Sequence, residues 1–93
     1  MERRKLSDEE VAESLEKLDS WEYEDTFLLK EYEFENFAQA LEFVNKVGAL
    51  AEEADHHPDI SFGWGYAEIA LTTHDVEGVT EHDFALAEKI DNL

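Results

Sequence analysis

The chain has one proline, and that residue constrains its fold more than any other. Pro58 disfavours helical geometry at His57, and the apolar repeat changes across it. Before it, Phe37, Ala40, Leu41, Val44, Val47, Gly48, Ala51 and Ala54 recur at steps of three and four, the pattern of an amphipathic helix of about five turns. After it, Ile60, Phe62 and Trp64 alternate, as do Ile69, Leu71 and Thr73, which is the period of strands. A long core helix therefore ends near Asp55 or His56, and a sheet begins a few residues later. Asn36 can cap the helix start. Gly48 falls within the stripe, where a missing side chain would allow close approach to the sheet despite roughly 1 kcal/mol of lost helix propensity.

The flanking segments repeat this alternation. Leu6-Ser7-Asp8-Glu9-Glu10-Val11 reads as a helix start, with Ser7 as N-cap, Glu10 completing a capping box and Leu6 stapled against Val11. Its stripe is Val11, Leu15 and Leu18, and Asp19-Ser20 ends it. From Trp21 to Phe34 the period is two, with a turn at Glu24-Asp25. Phe27 and Leu29 fall on one parity and Tyr32 and Phe34 on the other, so either a bulge lies near Lys30 or both faces are covered. Gly65-Tyr66 suits a hairpin loop leading into a strand from Ala67 to Thr73. Gly78 supplies a turn before Thr80, which opens a last helix with stripe Leu86, Ile90 and Leu93. The order is αββαββα over a single domain, 1–93. It predicts a two-layer α+β fold: a four-stranded antiparallel sheet with helices packed on one face.

Charge excludes one class of partner. Against 25 Asp and Glu stand 7 Lys and Arg, for a formal net charge of −18. Direct nucleic-acid binding needs a basic face to displace counterions, so none is expected. The acids are interleaved with periodic apolar residues rather than gathered in a tail, which argues for a folded acidic globule and for adaptation to high salt. No apolar run approaches the ~18 residues of a membrane span, and no signal-length apolar stretch follows the charged start. With no cysteine there is no disulfide framework and no thiolate zinc site, consistent with a reducing cytoplasm.

Three of the four histidines, His56, His57 and His74, fall where the predicted fold would bring them to one cleft. Neutral imidazole accepts a proton and imidazolium donates one, both near neutrality, so such a cleft points to proton transfer. A metal site from these histidines and an acid is disfavoured, because adjacent histidines diverge in an extended segment. The full spacing is Glu52, three residues, His56-His57-Pro58, five residues, Trp64, nine residues, His74, eight residues, Asp83.

This spacing closely resembles the pterin-4a-carbinolamine dehydratases, and the likeness runs from Trp21 through Phe34-Glu35-Asn36-Phe37 to Thr80-Glu81-His82-Asp83. The resemblance implies an αββαββα fold, a homodimer or homotetramer, and dehydration of a 4a-hydroxytetrahydropterin to the quinonoid dihydropterin with no metal or cofactor. It implies His56, His57 and His74 as catalytic residues. Glu52, Pro58, Trp64, Thr73 and Asp83 follow as supporting or substrate-binding residues: Glu52 to orient an imidazole, Trp64 to face a planar pterin. Blander roles stand beside these. Glu52 can be one more solvated acid, Trp64 a core residue of its strand, and Asp83 a helix cap. His82 lies outside the motif and is expected exposed. The chain departs from better-known members at Ile60, where tryptophan is frequent, at His82, where arginine is common, and in a short first hairpin turn. A protein-binding module of the coactivator kind and a role near molybdopterin metabolism are the rival functions.

Overall fold

The computed structural model describes residues 4–93; the charged residues 1–3 lie outside that range. The first helix, α1, spans Asp8–Leu15 and begins as its sequence dictates. The Glu10 amide donates to Ser7 Oγ at 3.2 Å and the Ser7 amide to Glu10 Oε1 at 2.9 Å, closing the capping box. Arg4 grips the same carboxylate with both terminal nitrogens, at 3.0 and 2.8 Å. The Arg4 hydrogen bonds first, and the Ser7 amide second, hold the Glu10 carboxyl down at about 2. Leu6 and Val11 are both buried. The helix is shorter than its stripe: Lys17 and Leu18 donate to carbonyls three residues back, so the last turn tightens and Leu18 reaches the core from outside the helix.

Strand β1, Glu22–Glu24, turns through Asp25 and Thr26 into β2, Phe27–Glu33. Both turn residues have positive φ, 49° and 71°, the geometry that matches a two-residue loop to strand twist. The conflict of parity in β2 is resolved without a bulge. Its ladder to β4, Tyr66–Leu71, runs unbroken from Leu28↔Leu71 to Glu33↔Tyr66. Leu28, Lys30 and Tyr32 therefore share the inner face with Leu71, Ile69 and Ala67. Phe27 and Leu29 lie half-buried on the outer face. The sheet order is β1-β2-β4-β3, with β3 at Asp59–Gly63 and every pairing antiparallel. The β3–β4 loop is Trp64-Gly65, one residue earlier than the sequence suggests. Gly65 takes the positive φ of 82° at the second loop position, where a type II turn requires it.

Helix α2, Phe37–Ala54, is capped by the Asn36 side chain, which accepts the Gln39 amide at 2.9 Å. Its core stripe is rotated from the one predicted. Ala40, Val47 and Ala51 are buried, and Phe43 packs on Tyr32 and Phe34 with ring centres 4.6 and 5.1 Å apart. Phe37 and Leu41 are exposed, and a Cβ at Gly48 would meet nothing within 4 Å, so this glycine faces away from the sheet. The helix is apolar on two faces, and the one carrying the larger aromatic takes the sheet.

After β4 come Thr72 and Thr73, a 3₁₀ turn at His74–Val76, and α3, Glu81–Asp91. Leu86 and Ile90 of α3 are buried with Leu28, Val47, Ile69, Leu71 and Val79; Leu93, predicted to share that stripe, lies beyond the helix end and is exposed. Asp91 ties α3 to the sheet. Its carboxylate accepts hydrogen bonds from Trp21 Nε1 at 3.0 Å, Lys30 Nζ at 2.8 Å and Tyr32 Oη at 2.6 Å. The result is the two-layer α+β arrangement that the pattern predicts. Among the described residues, no helix is long and apolar enough to cross a membrane.

Candidate active site

The exit of α2 sets the site. Asp55 adopts the left-handed conformation (φ 51°, ψ 43°) and returns its amide to the last helical turn, while the His56 amide closes on the Ala51 carbonyl at 3.1 Å. Pro58 then forbids further helix, so the two histidines fall on a tight reversal where successive side chains separate. His56 turns inward and is 5% exposed; the His57 side chain is 56% exposed.

Buried, His56 meets Asp83, which is fully buried at the third position of α3. His56 Nε2 lies 2.5 Å from Asp83 Oδ1. The other carboxylate oxygen, Oδ2, accepts the Thr80 amide and the Thr73 hydroxyl, each at 2.8 Å. Thr73 and Thr80 hydroxyls are 3.0 Å apart. With Thr73 donating to Asp83, Thr80 donates to Thr73, and Thr80 Oγ1 receives the His82 amide at 3.2 Å. Among the described residues no buried side-chain polar atom is left unpartnered. Asp83 therefore caps α3 through one oxygen and meets His56 through the other.

Glu52 pairs with His57 rather than His56: His57 Nε2 hydrogen bonds to Glu52 Oε2 on the exposed side of the helix end. His74 opens the 3₁₀ turn after Thr73, exposed, with its ring edge-on to Phe27 at 6.3 Å. A cavity of about 190 Å³ joins these parts and is lined by Asp55, His56, His57, Thr72, Thr73, His74 and Asp75. Larger hollows of about 250 Å³ over Phe34 and Phe43 and about 400 Å³ over the outer sheet face contain no histidine. Among the described residues no three His, Asp or Glu side chains are placed to hold a metal ion.

The geometry thus brings His56, His57, His74 and Thr73 to one cavity, with Asp83 bonded to His56, Glu52 bonded to His57, and Pro58 following them in the chain but not lining the cavity. Trp64 is elsewhere. It is 73% exposed at the β3–β4 loop, while His74 follows the opposite end of that ladder, about 17 Å of strand away at ~3.4 Å per residue. Within one chain Trp64 is neither pterin platform nor core residue. His82 also departs from expectation, being half-buried with its ring centre 5.9 Å from that of His56. The early turn of α3 that carries Asp83 inward carries its neighbour with it. Thr80, Asp55, Thr72 and Asp75 were not singled out by the sequence; Thr80 alone carried a signal, as the cap of α3.

Comparison with known proteins gives a consistent answer. Residues 4–93 match the family described as pterin 4 alpha carbinolamine dehydratase. A relative from Rubrobacter xylanophilus, named for that activity, is 51% identical over 89 residues, covering 95% of this chain and 83% of its own. One from Sulfolobus acidocaldarius, named likewise, is 40% identical over 96% of this chain and 98% of its own. The crystal structure of a transcriptional coactivator/pterin dehydratase from Brucella melitensis superposes with a TM-score of 0.91 at 31% identity, covering 96% of this chain and 97% of that one. A pterin dehydratase-like RuBisCO assembly factor of the alpha-carboxysome superposes with a TM-score of 0.64 at 30% identity, over 77% and 83%. The fold is the α+β arrangement of the pterin dehydratase structures, and the chain belongs to the pterin 4 alpha carbinolamine dehydratase family.

Proposed function

We propose that the protein is a hydro-lyase that converts a 4a-hydroxytetrahydropterin, with tetrahydrobiopterin as the parent ring system, to the quinonoid dihydropterin by proton transfer among His56, His57 and His74. The observation that carries this reading is the fixed pairing of His56 with buried Asp83 at the wall of a cavity shared with the other two histidines. Dehydration removes the proton on N5, forms the C4a–N5 double bond and expels the C4a hydroxyl as water. The departing hydroxide is a poor leaving group and needs a proton, so one acid and one base suffice, worth ~10²- to 10⁴-fold in rate. With Nε2 engaged by Asp83, Nδ1 of His56 is the nitrogen available to the substrate, and the carboxylate stabilises the imidazolium that forms when it takes a proton. His74 stands on the facing turn as the complementary group, and His57, steadied by Glu52, orients or protonates the hydroxyl. The residues themselves supply the acid and base, so the reading calls for no metal or cofactor.

The same reading places the protein in the cytoplasm as a single-domain homodimer or homotetramer. The face of α2 bearing Phe37, Leu41 and the open Gly48 supports self-association, since it continues into Phe62 of β3, whose ring is 5.5 Å from that of Phe37. The direct experiment generates the 4a-hydroxytetrahydropterin in solution and follows its dehydration with and without protein. Acceleration over the spontaneous rate is expected, and equal rates would sink the enzymatic reading. That outcome would favour the partner-binding alternative.

A further inference from the structure

We propose that His82 is a positioning residue for His56, setting through its own charge how readily the His56 ring holds a proton. Two observations carry this. The two ring centres are 5.9 Å apart with planes inclined at 44°, and His56 is 5% exposed, so little water lies around it to screen a neighbouring charge. The backbone beneath the His82 ring is also fixed, because its amide donates to Thr80 Oγ1, the hydroxyl that feeds Thr73 and through it Asp83.

Charged and titratable groups approach His56 from α3, from the α2 exit and from the 3₁₀ turn. From α3 come Asp83, bonded to Nε2, and His82, packed beside the ring; Glu81 precedes His82 in the chain and is exposed. From the α2 exit come Asp55 and His57, the latter bonded to Glu52. From the 3₁₀ turn come His74 and Asp75, lining the same cavity. Asp83 favours a proton on His56, and a proton on His82 opposes one. At about 6 Å such a like charge changes the ratio of imidazolium to imidazole on His56 by roughly 3-fold at the dielectric constant of water and ~100-fold at an effective value of about 20. His56 therefore sits between the Asp83 carboxyl and the His82 ring.

The inference rests on the reading of His56 as a proton-transfer group, so its test has one arm that needs no turnover. Three variants fix the charge at this position: His82→Gln is neutral, and His82→Arg and His82→Lys are cationic, with circular dichroism to verify folding and the second cation as a safeguard should the first not fold. In protein labelled with ¹⁵N in its histidines, the His56 ring nitrogens report its protonation by NMR across a pH series. At the same pH either cationic variant should lower the imidazolium-to-imidazole ratio of His56 by roughly 3-fold or more relative to His82→Gln. Wild type should follow the cationic variants in acid and His82→Gln in base. The pH profile of dehydration should shift in the same sense. If the His56 protonation curves of the neutral and cationic variants superpose, the proposal is wrong and His82 only packs against its neighbour. If they separate while wild type fails to dehydrate the pterin, the coupling stands and the assigned reaction falls.

Discussion

The histidines of the cavity meet different neighbours: Asp83 for His56, Glu52 for His57 and the Phe27 ring for His74. His56→Ala and His74→Ala are expected to cut the dehydration rate by roughly 10- to 10³-fold with the fold intact, because under the proposed mechanism each removes a proton-transfer group; the double variant should then approach the spontaneous rate. Wild-type turnover in both single variants, with unchanged circular dichroism, would remove the histidines from the mechanism. Asp83 is different because its burial is complete and both its oxygens are bonded. Asp83→Ala strands the Thr80 amide, the Thr73 hydroxyl and His56 together, and should cost about 3–5 kcal/mol of stability by denaturant unfolding. Asp83→Asn keeps the shape but removes the carboxylate that, in the proposed mechanism, stabilises a His56 imidazolium. It should fold, yet turn over ~10-fold or more slowly, and an unchanged rate in a folded Asp83→Asn protein would make the carboxylate purely structural. The histidine spacing was legible in the sequence because it is a local pattern on either side of one proline. The His56–Asp83 bond was not, since it joins residues 27 apart and depends on how α3 docks. The same docking brings His82 to the site although it stands outside the motif.

At the scale of the elements, local chemistry and the core faces of α1, α3 and β4 were legible, while the face of α2 was misread and the parity of β2 stayed open. Both capping boxes, the Asn36 cap and the end of α2 before Pro58 follow from side chains acting on neighbouring backbone, so sequence suffices. Which of the two apolar faces of α2 meets the sheet depends on Phe43 finding Tyr32 and Phe34. The parity of β2 depends on its ladder with β4 rather than on its own alternation. The Asp91 clamp was equally hidden, because it gathers Trp21, Lys30 and Tyr32 from elements far from it in sequence, and it makes a prediction about pH. Burial raises the Asp91 carboxyl, but hydrogen bonds from Lys30, Tyr32 and Trp21 outweigh it and leave the group below its ordinary 3.8. Its contribution is therefore present above pH ~4 and lost as pH falls through the lower, folded value. Tyr32 is shifted the other way, above its ordinary 10.0, by burial first and by Asp91 second. That contribution is full below pH ~10 and lost as pH rises beyond it. Asp91→Asn should destabilise at pH 7 by about 1 kcal/mol, below the usual range for charged hydrogen bonds because the clamp is partly solvated. The gap from wild type should close in acid. A gap that persists unchanged at pH 2 would mean that the carboxylate charge is not what holds α3 to the sheet.

Over the whole molecule the dominant fact is charge. The outer face of the sheet carries Glu22, Glu24, Glu31, Glu33 and Glu68, all exposed, and Glu31 stands directly opposite Glu68 in the β2–β4 ladder. Like charges in cross-strand register are destabilising, and the net −18 spreads the same repulsion over a body of 38 × 24 × 21 Å. Screening decides how far it acts. The Debye length is ~30 Å at 0.01 M salt and ~3 Å at 1 M, so in dilute buffer charges repel across most of the molecule, and in molar salt only near neighbours do. Folding draws these charges together and self-association draws two such bodies together, so both are expected to strengthen as salt rises. The melting temperature and the sedimentation mass, measured in potassium chloride from low millimolar to molar, should rise together, most steeply over the range in which the Debye length falls below the width of the molecule. A parallel series in sulfate at matched ionic strength separates the effects, because screening depends on ionic strength alone whereas salting-out favours sulfate. Glu31→Gln should flatten part of the dependence by relieving the Glu68 opposition. A melting temperature and mass that stay level across the whole chloride series would show that the acidic surface is compensated locally, and the case for a protein suited to high salt would fall with it.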